Sequence, residues 1–108
     1  RDYIYVKDAC AAIWAALGKY DISGVYNIGS GIGTSSLKLA EAVIEGLGSS
    51  SEKEMLTDMP EDTSVMFLDI SKAEKELGFS PEYSITEAFA DLKKESWGDE
   101  DGTDKYTV

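Results

Sequence analysis

Gly24-Val25-Tyr26-Asn27-Ile28-Gly29-Ser30-Gly31-Ile32-Gly33-Thr34-Ser35 is the stretch that decides the fold. Val25 to Ile28 is β-branched and aromatic, which favours a strand. Three alternating glycines follow, then Thr34 or Ser35 as a helix N-cap. Glycines beside a helix N-terminus raise the question of a phosphate site. Yet Gly29-x-Gly31-x-Gly33 is neither Gly-x-Gly-x-x-Gly nor a turn ending in Gly-Lys-Ser or Gly-Lys-Thr. A tight strand-to-helix turn is the better reading.

Downstream, Leu37, Ala40, Ile44 and Leu47 fall on one helical stripe, widened by Leu39 and Val43. Lys38, Glu41 and Glu45 form its wet face, and Gly46 and Gly48 are expected to end the helix. Val65 to Leu68 is the next strand candidate. Two capping boxes follow, Ser71-x-x-Glu74 and Ser84-x-x-Glu87. The first opens a short helix ending at Leu77-Gly78. The second opens a last helix with Ile85, Ala88, Phe89, Leu92 and Ser96 on its stripe and Trp97 beside it. Phe79 to Tyr83, around Pro81, is read as extended.

Upstream, Tyr3 to Val6 reads as a short strand, and Asp8 as the cap of a helix over Ala9 to Leu17, stopped near Gly18. That helix is apolar almost all round, whereas a surface helix keeps a polar face. It is either buried within this domain or covered on a second side by another domain or chain. Cys10, inside it, is expected to be buried and inert.

The 108 residues carry 21 acids and 10 bases, a net charge of −11. Phosphate backbones need clustered Lys and Arg, so nucleic acid is excluded as an expected partner, and an anionic membrane surface is disfavoured. The longest apolar run, Ala9 to Leu17, falls far short of the ~20 residues that span a bilayer. No signal peptide is evident, and a start at Arg1 rather than Met suggests that the natural start lies elsewhere. Without histidine, His-based catalysis and His metal sites are excluded. Most of the charge lies after residue 48. Residues 1–97 therefore read as the structured part and residues 98–108 as an acidic, disordered tail.

Several side chains invite chemistry. Tyr3-x-x-x-Lys7 has the spacing of a tyrosine acid/base with a helper lysine, but on a strand the two would lie about 13 Å apart. Asp58, Glu61, Asp62 and Asp69 are close in sequence, yet they lack calcium-loop spacing and read as a solvated acidic loop, with Asp69 a cap or turn residue before Ser71. Arg1, the only arginine, could fork onto a phosphate or carboxylate, or pair with Asp2 or Asp8.

Arg1-Asp2-Tyr3-Ile4-Tyr5-Val6-Lys7-Asp8, Gly24 to Gly31 with Thr34-Ser35 and Leu39 to Ala42, and Asp69 to Ala73 with Glu76 to Phe79 and Pro81 occur in a fixed order. Together they resemble the extended short-chain dehydrogenases, the NAD-dependent sugar epimerases and dehydratases. The resemblance implies an α/β fold: the C-terminal, substrate-side portion of a Rossmann-type enzyme, with about four helices and a few short strands. It implies that the NAD-binding glycine turn and the catalytic Tyr/Lys pair lie in a missing N-terminal domain. No catalytic or cofactor-binding residue is then expected in this chain, and that domain would cover the apolar helix.

In the complete enzyme, the family chemistry oxidises a sugar hydroxyl by hydride transfer to NAD and then rearranges the keto intermediate. Arg1 would hold the phosphates of a nucleotide-sugar-like substrate and Asp62 its nucleotide portion. The family's second arginine is here Met59 and its neighbouring glycine is Glu61. Neither can pair with a diphosphate, so a less anionic substrate is the alternative, with Lys53 able to compensate. A cytoplasmic location and self-association of the isolated chain are expected, with a stand-alone binding module as the competing function.

Overall fold

The computed structural model describes residues 1–60 and 64–96. Four helices organise it: α1 (Val6–Leu17), α2 (Ser36–Leu47), α3 (Ser71–Leu77) and α4 (Ile85–Ser96). α2 packs along α4, and α1 touches α3. The core gathers Ala12 of α1, Ala73 and Leu77 of α3, and the flanking Ile70 and Phe79. Ile4, Ala15, Ala16, Ile22, Tyr26, Ile28 and Leu68 pack around it, half-buried. No described helix is long and apolar enough to cross a membrane.

α2 and α4 follow their local signals. The Ser35 hydroxyl accepts from the Lys38 amide at 3.1 Å, and Gly48 closes α2 in the left-handed conformation at φ 62°. The Ser84–Glu87 box forms in both directions. Glu87 Oε2 accepts from the Ser84 amide at 2.8 Å, and Ser84 Oγ accepts from the Glu87 amide at 3.1 Å.

Other expectations are corrected. No strand forms among the described residues: Tyr3 to Tyr5, Val25–Ile28 and Val65–Leu68 run without a ladder, and Val6 opens α1 instead of ending a strand. A strand needs a neighbour, and side chains hold these segments instead. Lys72 Nζ donates to the Val25 carbonyl at 3.2 Å and lies 4.3 Å from the centre of the Tyr26 ring. Tyr26 Oη donates to Glu76, and Asn27 Nδ2 donates to the Asp69 carbonyl. Arg1 and Thr34 exchange one pair of backbone bonds, 2.8 and 2.9 Å long.

α1 begins three residues earlier than expected, and Asp8 is not its cap. Asp8 is 3 % exposed and accepts from the amides of Glu82 and Tyr83 at 2.9 and 3.1 Å. These two charge-assisted bonds compensate the burial of the carboxylate. Ser71 does not cap α3 either. Its amide and hydroxyl both donate to Asp69, and Ile70 is the N-cap residue, so the turn reading of Asp69 holds.

Cys10 is exposed, not buried. α1 turns Asp8, Ala12, Ala15 and Ala16 inward, leaving Val6, Cys10, Ile13, Trp14 and Leu17 on the opposite face. Trp14 is 79 % exposed. The expected tail, residues 98–108, and Trp97 lie outside the described residues.

Gly46 does not end α2. It lies in the last turn, one residue before the helix ends at Leu47, where α2 crosses α4, and a Cβ there would meet Phe89 Cβ at 2.6 Å and the Thr86 carbonyl at 2.7 Å. Overpacking of this kind costs about 1–3 kcal/mol, against the roughly 1 kcal/mol that alanine gains over glycine in a helix. Gly46→Ala is therefore expected to lower stability by up to about 2 kcal/mol net, read as a lower urea midpoint.

Candidate functional site

The Arg1 guanidinium donates through Nη1 to the Ser64 carbonyl at 2.9 Å and to its hydroxyl at 2.7 Å. It borders a cleft of about 530 Å³ whose walls are Gly33 to Ser36, Ser64, Val65 and Phe67. The N-terminal end of α2 opens onto the same cleft through Ser35 and Ser36. First-turn amides of a helix lack intrahelical partners and carry the positive end of its dipole. α2 has no acid in its first turn to cancel that field. A guanidinium and a helix N-terminus facing one cleft suit an anionic oxygen-rich group.

Next to Arg1 in sequence is Asp2, for which the sequence alone suggests an ion pair with Arg1. Its Oδ1 accepts from the Ser30 amide at 2.8 Å and the Ser30 hydroxyl at 2.7 Å. Its Oδ2 accepts from the Gly31 amide at 3.0 Å and the Leu68 amide at 3.2 Å. Burial pushes the carboxyl up, but the bonds from Ser30, Leu68 and Gly31 outweigh it and hold the group below its ordinary value of 3.8. Gly29 is needed because a Cβ there would lie 2.8 Å from Asp2 Oδ2. Gly31 holds the turn with φ at 72°.

This geometry answers the question raised by the glycines. The Ser30 and Gly31 amides, which could cradle a phosphate, already surround the Asp2 carboxylate. A dinucleotide's pyrophosphate would have to displace a negative charge from that nest. The residues present do not fit NAD at this turn.

The remaining candidates separate. Lys7, on α1, bridges to Asp91 at 2.7 Å and Glu95 at 2.6 Å. Tyr5, not Tyr3, joins that cluster, its hydroxyl donating to Asp91 at 2.7 Å. The Asp91 contact pushes the Tyr5 hydroxyl up to about 12, while Lys7 and then Tyr5 hold the Asp91 carboxyl down. This cluster ties α1 to α4, and Tyr3 and Lys7 do not share a helical face. Lys53 bridges Glu41 on α2 at 2.6 Å. Asp62, expected at the nucleotide, and Glu61 lie outside the described residues. Met59 is exposed. Among the described residues no group of three or more acidic, Cys or His side chains is placed to hold a metal.

A carboxyl held below its unfolded value adds stability that is complete above that value and lost as pH falls through the folded one. Asp2 and Asp91, like Asp69 and Glu87, all sit low, Asp69 through Ser71 and Glu87 through the Ser84 amide. Melting temperature is therefore expected to hold from neutral pH down to the ordinary carboxylate range and to fall below it. Asp2→Asn should flatten part of that acid limb.

The family described as GDP-mannose 4,6 dehydratase matches residues 1–92. Similar proteins include "Low-salt glycan biosynthesis protein Agl12" of Haloferax volcanii, 40 % identical over 79 % of this chain and 27 % of its own length. "UDP-glucose 4-epimerase GEPI42" of Cyamopsis tetragonoloba is 36 % identical over 87 % of this chain and 28 % of its length. "dTDP-glucose 4,6-dehydratase" of an Actinoplanes species is 33 % identical over 84 % and 29 %. The chain spans a little over a quarter of these relatives. On this match across most of its sequence, the chain belongs to the GDP-mannose 4,6 dehydratase family of NAD-dependent epimerases and dehydratases.

Proposed function

We propose that this chain is the substrate-side part of an NAD-dependent nucleotide-sugar epimerase or dehydratase. The observation that carries the reading is the convergence of Arg1 and the N-terminus of α2 on one cleft. That cleft takes the phosphate end of a sugar nucleotide, the substrate class in the names of two relatives. Asp62, two residues before Ser64 in sequence, is assigned to the nucleotide end. NAD belongs to a Rossmann-type portion outside this chain, since the glycine turn here is closed by Asp2.

The apolar face of α1 supports the same reading. Val6, Ile13, Trp14 and Leu17 are each at least 60 % exposed, an expensive surface unless another element covers it. In this proposal the nucleotide-binding portion covers it. The isolated chain uses the same face to self-associate.

In the full polypeptide that carries these residues, turnover of a nucleotide diphosphate sugar is expected. Arg1→Ala should raise its KM roughly tenfold or more, the range of a lost charge-assisted bond. Absence of turnover, with tight ligand binding by the 108-residue chain alone, would favour a stand-alone binding module instead. Sedimentation of the isolated chain should show dimers or larger species, with Trp14→Glu shifting them to monomer. A monomer at high concentration before substitution contradicts the role given to α1.

A further inference from the structure

We propose that Asp2 is a positioning residue for the Arg1 cleft, setting substrate affinity without touching substrate. The inference rests on the reading of that cleft as the phosphate subsite. The cleft has three walls from distant parts of the sequence: Arg1, residues 33–36, and Ser64, Val65 and Phe67. One carboxylate ties down all three. Asp2 is the next residue after Arg1. It holds the amides of Ser30 and Gly31, just before the second wall, and the amide of Leu68, just after the third. The reciprocal Arg1–Thr34 backbone pair and the Arg1–Ser64 bonds also join these walls within the cleft itself.

The chemistry of the clamp makes it selective for a carboxylate. Four donors converge on two acceptor oxygens. Asparagine keeps the shape but turns an NH2 group toward donors, so one oxygen's partners lose their acceptor. The turn carrying α2 and the strap carrying Ser64 then drift apart. Arg1 loses its fixed bearing on the helix N-terminus, although the guanidinium itself is unchanged. A preorganised anion site weakens when its donors must be reordered on binding.

The test compares wild type, Asp2→Asn and Ser30→Ala in the full polypeptide. UDP is the probe for binding, and UDP-glucose is the probe for turnover. Asp2→Asn is expected to weaken UDP binding and raise KM roughly tenfold, while kcat changes far less. Ser30→Ala removes one donor and leaves the carboxylate, so it should move both in the same direction by a smaller factor. It also keeps the test decisive if Asp2→Asn fails to fold. A lowered melting temperature with unchanged UDP affinity in the folded variants overturns the inference, since a purely structural pin behaves that way. Wild-type protein that binds none of UDP, dTDP and GDP overturns the phosphate reading itself and this inference with it.

Discussion

The Asp2 carboxylate accepts four hydrogen bonds, from the amides of Ser30, Gly31 and Leu68 and from the Ser30 hydroxyl, and so ties together three segments distant in sequence. Around it, segments that would otherwise pair as strands run without ladder partners. Their amides still need acceptors, because a backbone N–H shielded from water without a partner costs about as much as a lost hydrogen bond. Asp2 meets that need for Ser30, Gly31 and Leu68, and Asp8 meets it for Glu82 and Tyr83. Two carboxylates thus do, across 28 to 75 positions of sequence, part of what a sheet does with a continuous ladder. Charge-assisted bonds of this kind are roughly twice as strong as neutral ones, so a few suffice.

A thin core makes those pins necessary. Among the described residues, four of the seven buried apolar residues are alanines and no large side chain is fully buried. Alanine removes little apolar surface from water, so burial alone stabilises this chain weakly. Small residues do allow α1 to approach the core closely through Ala12, Ala15 and Ala16. The larger apolar side chains of that helix are left on its outer face. A helix with a small-residue inner face and a large-residue outer face fits an element packed between two bodies, of which this chain is one.

How much was legible in the sequence follows from how local each signal is. Ser35, the Ser84–Glu87 box and the stripes of α2 and α4 act within one or two turns, and they could be read directly. Tyr3–Val6, Val25–Ile28 and Val65–Leu68 have strand composition, but strand formation depends on a neighbour that composition does not specify. The roles of Asp2 and Asp8 are hidden in the sequence for the same reason. Each has a plausible local use, as ion-pair partner or cap, and each is used across the fold instead. A tally of unpaired turn amides around Gly29–Gly33 would have asked for an acceptor, though not which one. Arg1 stood out as the single arginine, but its cleft became visible only when residues 33–36 came together with Ser64, Val65 and Phe67. Gly46 looked like a stop signal, and only the crossing with α4 shows why it is glycine.

The proposal that α1 leans on a nucleotide-binding portion of a longer polypeptide is tested most directly at Cys10, on the exposed face of that helix. The measurement is its rate of labelling by a thiol reagent, resolved by peptide mass, in the dilute 108-residue chain and in the full polypeptide. Burial of the face predicts labelling slower by roughly tenfold or more in the longer protein, because reaction must wait for the interface to open. Equal rates in the two would contradict it.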